Sequence, residues 1–485
     1  MTESFTERFA ARLADYGDRP CIEFQGRWFT GAEVAGYGAA LTGLFERAGL
    51  DPGAPVGLVV RNRYAHTAAT IAMIAAGRPV VMIYSFQSPE AIAADIDRLD
   101  VAAVLADPQD WTDPVTAAAE RTGAARVRLG PEAPTLTGAG QRRPRPPVDG
   151  ALAILTSGTT GAPKRFVVRA EVLEHTVFSV TGGNAAPDEP PELAYWPLGG
   201  IGGVCQTVTA IYIGKRMALL ERFTVADWVR VVKTHGLRRV GVQPAVVRML
   251  LEADLPAEDL ASLDFLMCAS GPLDVATRDA FEQRYRVPVL TAYGATEFAG
   301  SVCTWTPDLY REFGARKRES SGRVLPGVQV RIVDADTGAE VPTGSQGILT
   351  AQVPLLGPDW VSTTDIASVD EDGFITVAGR ADGAINRGGF KILPETVRAV
   401  LISHPQVRDA GVVGVPDGRL GEVPFAAVET VAGARVTEDE LLAAVREALP
   451  AHHVPVAVAF VDELPRTPSL KVSVPGVAAL YPGAG

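Results

Sequence analysis

The sequence contains few cysteines, and they are scattered. Four occur in 485 residues, and no two of them form a C-x-x-C pair. A disulfide framework needs more cysteines at closer spacing, so we expect reduced thiols, as is typical of a cytoplasmic protein. The four positions are Cys21, Cys205, Cys268 and Cys303.

Long apolar runs and an excess of positive charge are also missing. The stretch TAATIAMIAAGRPVVMIY is divided by Gly77, Arg78 and Pro79, and neither part reaches the ~20 apolar residues that span a bilayer. The N-terminal segment is charged and amphipathic, unlike an export signal. The net charge of −12 argues against general nucleic-acid binding. We therefore expect no membrane or nucleic-acid partner, and any bound anion must be held by local lysines, backbone N–H groups or a metal ion.

Helix and strand patterns alternate from the N-terminus to about residue 300, which predicts parallel sheets covered by helices. From about 320 to 380 short strands follow one another without a helical period. After Arg380 a new α+β pattern begins, with a helix start at Pro394 and an N-cap at Thr437 followed by Glu440. A chain of this length exceeds one hydrophobic core, so the sequence predicts several domains, the last of them small.

One short segment, LTSGTTGAPKR from Leu155 to Arg165, interrupts the apolar pattern directly after a predicted buried strand. Its glycines free backbone N–H groups to point at one spot, its hydroxyls add donors, and Lys164 adds a charge. This composition is typical of a phosphate cradle, which we expect between a strand and a helix. It is not a Walker P-loop, because no Ser or Thr follows the lysine to hold magnesium.

This segment resembles the signature loop of the adenylate-forming superfamily, which contains acyl- and aryl-CoA synthetases, luciferases and adenylation domains of peptide synthetases. Three further segments resemble motifs of that family, in the same order: TAYGATEFAG, TTDIASVDEDGFITVAGRADGAINRGGFKILPETV and LPRTPSLKVS. The resemblance covers essentially the whole chain. It implies an α/β protein with a large N-terminal domain (1–380), made of two α/β subdomains plus a small β-barrel, and a small mobile α+β C-terminal domain (381–485).

The reaction that the resemblance implies joins a carboxylic acid to the α-phosphate of ATP, giving an acyl-adenylate and pyrophosphate. Two anions must meet, so the site needs cations, including Mg²⁺. The residues expected to bind ATP are Thr156, Ser157, Gly158, Thr159, Thr160, Gly161, Lys164, Tyr293, Asp365 and Arg380. Asp365 would accept the ribose hydroxyls and Tyr293 would lie against adenine. Thr296 would donate to the α-phosphate, and Glu297 would bind magnesium.

Lys471, within the segment PRTPSLK, is the expected catalytic residue. As in the family, it would bridge the carboxylate and the α-phosphate. Leu470 departs from the motif, which normally has glycine there, and this puts the conformation of the lysine loop in doubt. Asp382 is the expected hinge of the C-terminal domain. Gly388 and Gly389 would line a tunnel for the pantetheine arm of coenzyme A, because a narrow channel tolerates no side chains.

The segment YWPLGGIGGV departs from the family where many acyl and aryl members carry an aromatic residue and a histidine. We interpret its glycines as a pocket wall without side chains, which favours a bulky or aryl acid unless another ring fills the space. The residues expected to line the acid pocket, besides Tyr293, are Trp196, Gly199, Gly200, Gly271, Gly294, Phe298 and Gly300.

Three functions remain open on the sequence alone. The first is an acid–thiol ligase with ATP, Mg²⁺ and coenzyme A, acting on a small-molecule carboxylic acid. The second is an amide synthetase or related ligase that passes the adenylated acid to a free amine or another nitrogen nucleophile. The third is a nucleotide-binding protein without catalysis, which the presence of Lys471, Glu297 and Asp365 argues against.

Overall fold

The computed structural model describes residues 3–141, 152–155, 165–295, 298, 300–467 and 469–483. The chain forms two compact units. Unit 1 comprises Met1–Val240 and Glu258–Leu263, and unit 2 comprises Gly241–Ala257 and Asp264–Gly485. The boundary expected at residue 380 falls inside unit 2 and remains a prediction.

Two sheets form the framework of unit 1. The strands are β1 (Pro20–Phe24), β2 (Arg27–Thr30), β3 (Val56–Val60), β4 (Val80–Tyr84), β5 (Ala103–Ala106), β6 (Ala125–Leu129), β7 (Pro134–Gly138), β8 (Leu152–Leu155), β9 (Arg165–Val168), β10 (Glu192–Ala194) and β11 (Met217–Leu219). In the described residues, one sheet has the order β7-β6-β5-β3-β4-β8-β9 and the other β10-β11-β1-β2. The inner strands β6, β5, β3, β4 and β8 are parallel, as the alternating pattern predicts.

Helices connect these strands. They are α1 (Phe5–Ala14), α2 (Gly31–Arg47), α3 (Tyr64–Ala75), α4 (Pro89–Arg98), α5 (Asp113–Thr122), α6 (Ala170–Thr181), α7 (Ile201–Tyr212) and α8 (Val225–His235). The apolar residues of α4 and α5 pack with those of β3, β4 and β5 in one buried cluster. Parallel strands can be joined only by such crossover connections, which explains the alternation in the sequence.

Unit 2 contains a second large sheet. Its strands, after β12 (Arg239–Val242) at which the chain leaves unit 1, are β13 (Phe265–Cys268), β14 (Val289–Ala295), β15 (Gly300–Thr304), β16 (Gly322–Val324), β17 (Gln329–Val333), β18 (Gly347–Gln352), β19 (Val361–Val369) and β20 (Phe374–Arg380). They follow the order β13-β14-β15-β16-β20-β19-β18-β17. The described strands do not show the closed β-barrel that was expected, because among them β17 pairs only with β18, and a barrel requires the last strand to pair back.

The C-terminal part of unit 2 is a smaller α+β layer. Its strands are β21 (Ile385–Arg387), β22 (Phe390–Ile392), β23 (Val407–Asp417), β24 (Gly421–Thr430) and β25 (Val458–Val461). The helices of unit 2 are α9 (Pro244–Glu252), α10 (Val275–Tyr285), α11 (Pro307–Phe313), α12 (Pro394–Ile402), α13 (Glu438–Ala448) and α14 (Val474–Ala478). Thr437 caps α13 in a capping box with Glu440, as predicted.

Two further expectations concern the cysteines and membrane-spanning helices. All four cysteines lie in the described part of the chain and are free thiols, as predicted. No helix in the described ranges is long and apolar enough to cross a membrane.

Candidate active site

Asp365 and Tyr293 form the centre of the candidate site in unit 2. Asp365 lies on β19, and its Oδ2 accepts a hydrogen bond from the hydroxyl of Tyr293 on β14. Burial, followed by the charge of Asp365, raises the pKa of Tyr293, so the hydroxyl stays protonated and donates. An ionised carboxylate offers about four lone-pair positions. Asp365 can therefore accept a ligand's hydroxyl groups while Tyr293 holds its orientation.

Arg380 stands opposite Asp365 in the β19–β20 pairing. Its Nη2 donates to Thr364 Oγ1 at 2.8 Å, and Nε and Nη2 donate to the two oxygens of Asp382 at 2.8 and 2.7 Å. Asp382, the expected hinge residue, therefore forms a bidentate ion pair with Arg380, the residue expected to bind ribose or phosphate. Both side chains keep solvent exposure, so the pair is worth only about 0–1 kcal/mol and can open.

Lys471 shares the electrostatic environment of this pair. Although the residue as a whole is exposed, its amine is crowded by protein atoms. Burial, together with the charge of Arg380, lowers the pKa of Lys471, while Asp365 opposes the shift. The structure therefore brings together the expected catalytic lysine and the expected nucleotide ligands Asp365 and Arg380, although Arg380 and Lys471 are 91 positions apart in the sequence.

The loop that carries Lys471 is held by its own backbone. The N–H of Thr467 donates to the carbonyl of Lys471 at 2.8 Å, and that of Leu470 donates to Thr467 at 2.8 Å. Leu470 has φ = +61°, in the left-handed region that costs an L-residue about 1–2 kcal/mol. The loop therefore keeps the conformation that a glycine would adopt, because Leu470 itself takes the left-handed backbone conformation.

Glu395 belongs to this neighbourhood and was missed by sequence analysis. It lies in the first turn of α12, and its Oε2 is 2.6 Å from the position that a Cβ on Gly379 would occupy. This oxygen is buried without a hydrogen-bond partner among the described residues, and burial raises the pKa of Glu395. In the sequence an acidic residue after Pro394 indicates only a helix N-terminus, so no local pattern indicated its burial.

Gly388 and Gly389 join β21 to β22. Arg387 pairs with Phe390, so the two glycines form a two-residue hairpin turn, and their φ values are +58° and +93°. Such turns favour glycine for conformational reasons. The turn by itself accounts for both glycines, and the tunnel stays a proposal.

In unit 1 the expected acid-pocket glycines differ from one another. A Cβ on Gly199 would lie 2.7 Å from Val60 Cγ1 and 2.8 Å from Tyr84 Cε1, so glycine is required there by packing. A Cβ on Gly200 would meet, within the described atoms, only the carbonyl oxygen of Pro197 at 3.5 Å. Gly200 precedes α7 with φ = −104°, so its backbone does not require glycine. Gly200 alone fits the interpretation of an absent side chain.

Two neighbouring glycines and one tryptophan complete this segment. A Cβ on Gly202 would approach the ring of Trp196 to 2.7 Å, and one on Gly203 would approach the carbonyl oxygen of Pro197 to 2.3 Å. Trp196 is half-buried, and its carbonyl accepts from Nδ2 of Asn62 at 2.9 Å. We call residues 196–203 the glycine segment.

The remaining expected pocket residues lie in unit 2. A Cβ on Gly294 would clash with the backbone of Gly300 at 2.2 Å, because β14 and β15 pair there. A Cβ on Gly271 would only touch Pro244 at 3.7 Å. Phe298 is 1% exposed and packs in the apolar core between β15, β18, β19 and β20. The glycine at 294 is thus explained by strand pairing, and the ring of Phe298 by core packing.

Most of the residues expected to bind the phosphates and magnesium lie outside the described residues. This applies to Thr156, Ser157, Gly158, Thr159, Thr160, Gly161, Lys164, Thr296 and Glu297. The expectation that the loop joins a strand to a helix is wrong, since β8 precedes it and β9 follows antiparallel, with Leu155 opposite Arg165. Arg165 pairs with the buried carboxylate of Asp95 at 2.6 Å, so it neither points to solvent nor is available to a phosphate.

The chain resembles known proteins over most of its length. The family model described as AMP-binding enzyme matches residues 9–357, and the model described as AMP-binding enzyme C-terminal domain matches residues 397–471. A 2-succinylbenzoate–CoA ligase of Bacillus licheniformis is 32% identical over 342 residues, which are 67% of this chain and 69% of that protein. One of Bacillus cereus is 28% identical over 476 residues, 94% of each chain. The match to Bacillus subtilis YdaB, at 31% identity, spans 65% of that protein, slightly less than two thirds.

Solved structures of similar fold extend over nearly the whole chain. The amide bond synthetase McbA from Marinactinospora thermotolerans is 27% identical, with a TM-score of 0.81 and coverage of 98% of this chain and 99% of that one. ATP-bound MatB from Rhodopseudomonas palustris is 24% identical, with a TM-score of 0.81 and coverage of 95% and 96%, which demonstrates a shared fold.

Proposed function

Because the chain belongs to the AMP-binding enzyme family, we propose that it is an ATP-dependent ligase that activates a carboxylic acid as its adenylate and transfers the acyl group to coenzyme A. One observation carries the proposal. Lys471 shares the electrostatic environment of Asp365 and Arg380, so a lysine, an arginine and a carboxylate that could accept hydroxyl groups lie near one another in unit 2.

In the first step an oxygen of the acid's carboxylate forms a bond to the α-phosphorus of ATP, and the bond to pyrophosphate breaks. Negative charge from two anions accumulates, and fixed cations stabilise it better than water does. Lys471 would bridge the carboxylate and the α-phosphate. Magnesium, which prefers carboxylate and phosphate oxygens, would neutralise the leaving pyrophosphate, with Glu297 as its protein ligand.

The nucleotide would be held mainly by residues that orient it. Asp365 would accept the ribose hydroxyls, with Arg380 supporting the ribose or the α-phosphate. Tyr293 would keep Asp365 in place through its hydroxyl, which donates to Oδ2, and would lie against adenine. Thr296 and the cradle from Thr156 to Lys164 would donate to the phosphates.

In the second step the sulfur of coenzyme A would form a bond to the acyl carbon and lose its proton to solvent, while the bond between the acyl carbon and the phosphate oxygen of the mixed anhydride breaks and AMP leaves with its electron pair. Lys471 and the Gly388–Gly389 turn would serve different steps, with rotation about Asp382 between them. Among the described residues, two ion pairs would have to break in this rotation: Arg408 pairs with Glu252 of α9, and Asp409 pairs with Arg248 of α9 at 3.4 Å.

The acid is proposed to be bulky or aromatic. The similar 2-succinylbenzoate–CoA ligases act, as their name says, on an aryl acid. The open position at Gly200, where among the described atoms a Cβ would meet only a carbonyl oxygen, leaves volume at the start of α7. A larger acid could use this volume.

A second candidate function is amide synthesis. It is favoured by the similarity to the amide bond synthetase McbA over 98% of this chain. In that reaction a nitrogen nucleophile replaces the sulfur, and the adenylation step is unchanged.

Product analysis distinguishes the two. The chain would be incubated with ATP, Mg²⁺ and a panel of aryl and alkyl acids, alone, with coenzyme A, or with amines. We expect pyrophosphate release with a bulky aryl acid and a thioester mass only when coenzyme A is present. An amide mass without thioester would favour the second candidate, and no acid-dependent pyrophosphate release would refute both.

A further inference from the structure

A buried carboxylate lies at the base of the lysine loop, which we define as residues 465–467 and 469–473. Asp409 on β23 is 1% exposed. Its Oδ2 accepts from Nη2 of Arg466 at 2.8 Å, its Oδ1 accepts from Arg398, and Arg248 lies at 3.4 Å. Three arginines from three different elements therefore converge on one side chain that is isolated from solvent.

Arg466 connects the buried Asp409 to the lysine loop. The Nη1 of Arg466 donates to the carbonyl of Leu470 at 3.4 Å, and its backbone forms a bridge with Val472. Nη2 also lies 3.5 Å from the buried carboxylate of Glu429. The side chain of Arg466 thus connects the buried acids to the peptide group that directly precedes Lys471.

The loop needs such an anchor because of Leu470. With φ = +61°, Leu470 holds a conformation that an L-residue with a side chain of this size disfavours about 5- to 30-fold. The hydrogen bonds within the loop join residues of the loop to one another, so they do not fix its orientation relative to β23. Among the described residues, Val472 packs against the buried cluster that includes Val413 and Val415 of β23. The contacts of Arg466 described above link the tip of the loop to the buried acids.

We propose that Asp409, acting through Arg466, is a positioning residue that holds the lysine loop in the left-handed turn at Leu470 and thereby places Lys471 for adenylation. The proposal rests on the function proposed above for Lys471. It concerns neither binding of the acid nor the transfer step.

The charges around Asp409 keep it ionised. Burial alone would raise its pKa, but Arg398, Arg248 and Arg466 outweigh burial and lower it. A charge-assisted bond from Arg466 is stronger than one to a neutral group. Replacing the carboxylate with an amide should therefore weaken the anchor while leaving the volume almost unchanged.

The test is a mutant cycle in the full chain with two readouts. Asp409→Asn is compared with Leu470→Gly and with the double variant, and Asp439→Asn, an exposed aspartate on α13, is the matched control. The first readout is hydrogen exchange at the amides of Thr467, Leu470 and Ser473, all of them hydrogen-bonded in the loop. The second is the rate of pyrophosphate release against the rate of synthetic acyl-adenylate consumption.

We expect Asp409→Asn to accelerate loop exchange and to lower kcat for adenylation by about 5- to 30-fold, with the KM for ATP nearly unchanged. The transfer step should be unchanged or faster, because the pair with Arg248 that rotation must break is weakened as well. In the double variant, Leu470→Gly should raise the kcat for adenylation roughly 2- to 10-fold above that of Asp409→Asn alone. Glycine removes the left-handed penalty but adds chain entropy. Asp439→Asn should alter neither readout. Arg466→Lys, which keeps the charge but loses the fork, should behave as a milder Asp409→Asn if that variant folds poorly.

Unchanged loop exchange in Asp409→Asn and Arg466→Lys would overturn the proposal. So would an equal loss of both half-reactions without rescue by Leu470→Gly, since this indicates a general role in stability. The exchange readout needs no substrate. If the wild-type chain released no pyrophosphate with any acid, the proposed function would fail while this readout still tested the anchor.

Discussion

The glycine segment of unit 1 and the lysine loop of unit 2 differ in what limits the choice of residue: space for a Cβ in the first, and the backbone angle φ in the second. In the glycine segment, Gly199 and Gly203 sit where a Cβ would come within 2.7 and 2.3 Å of neighbouring atoms. In the lysine loop, Leu470 occupies a left-handed position, φ = +61°, where glycine is favoured. One region lacks side chains because space is short, and the other keeps a side chain although its backbone disfavours one.

This difference shows that residue type alone does not identify the constraint. A glycine can mark a close approach, as at Gly203, a turn, as at Gly389, or open space, as at Gly200. A leucine at a position with positive φ requires other contacts to stabilise the conformation. The two regions can therefore be perturbed separately, with different expected readouts.

The largest effect is expected from Lys471→Ala. Removal of a preorganised group that stabilises transition-state charge typically costs about 10²–10³ in kcat. We expect a loss of this size in acid-dependent pyrophosphate release, with normal folding and nearly normal consumption of synthetic acyl-adenylate in the presence of the acceptor. Loss of that second reaction as well would show that the lysine loop is not dedicated to the first step.

Gly200→His is expected to act on substrate choice. An imidazole would fill volume that is open at the start of α7, and overpacking typically costs about 1–3 kcal/mol. For a bicyclic acid this corresponds to roughly a 5- to 150-fold loss in kcat/KM, with a much smaller loss for a monocyclic or short acid. An unchanged ratio of the two values would exclude Gly200 from the acid pocket.

Gly203→Ala should destabilise unit 1 more than Gly200→Ala does. In most helices glycine to alanine is favourable by about 0.5–1 kcal/mol, but here the added methyl group would lie 2.3 Å from the carbonyl oxygen of Pro197. We expect a cost of about 1–3 kcal/mol, seen as a lower Tm, and a smaller cost of about 0.5–1 kcal/mol for Gly200→Ala, because Gly200 is the N-cap of α7 and alanine is a poorer N-cap residue than glycine. Equal Tm values would mean that the segment can shift to admit a Cβ.

The pH dependence of adenylation should reveal the environment of Lys471. Burial and Arg380 lower its pKa from the ordinary value of 10.5, and Asp365 only partly opposes this. Since the protonated amine is the active form, kcat/KM should fall about tenfold per pH unit above the lowered pKa. The decline should begin below pH 10.5 and be absent from the residual activity of Lys471→Ala.

Patterns that repeat locally could be predicted from the sequence, while contacts between distant segments could not. The strands before the phosphate cradle and the α13 cap at Thr437 follow local rules and were found as expected. The family motifs led to Asp365, Arg380 and Lys471, which the structure brings together. The burial of Glu395 against Gly379 depends on packing of α12 on β20, which no local pattern encodes.

The same limit explains the corrected expectations. Short strands with turns indicate a β-unit, but whether β17 pairs back to close a barrel depends on distant hydrogen bonding. The glycines at 199 and 200 are indistinguishable in sequence, and only the positions of Val60 and Tyr84 separate them. For Leu470, sequence comparison indicated a departure from glycine, and the structure supplied the value of φ.

The smallest effect is expected at Leu470, and it separates backbone from side chain. Asparagine enters the left-handed region more readily than leucine, whereas a β-branched residue there is a genuine outlier. We therefore expect Leu470→Asn to keep pyrophosphate release within about threefold of wild type, and Leu470→Val to lose about 5-fold or more, because the left-handed penalty of about 1–2 kcal/mol grows with branching. Both variants remove the same leucine side chain, so any contact that it makes is lost in both. If the two variants were equally impaired, a contact of the leucine side chain, and not the left-handed turn, would determine the position of Lys471, and the opposition between the two regions would no longer hold.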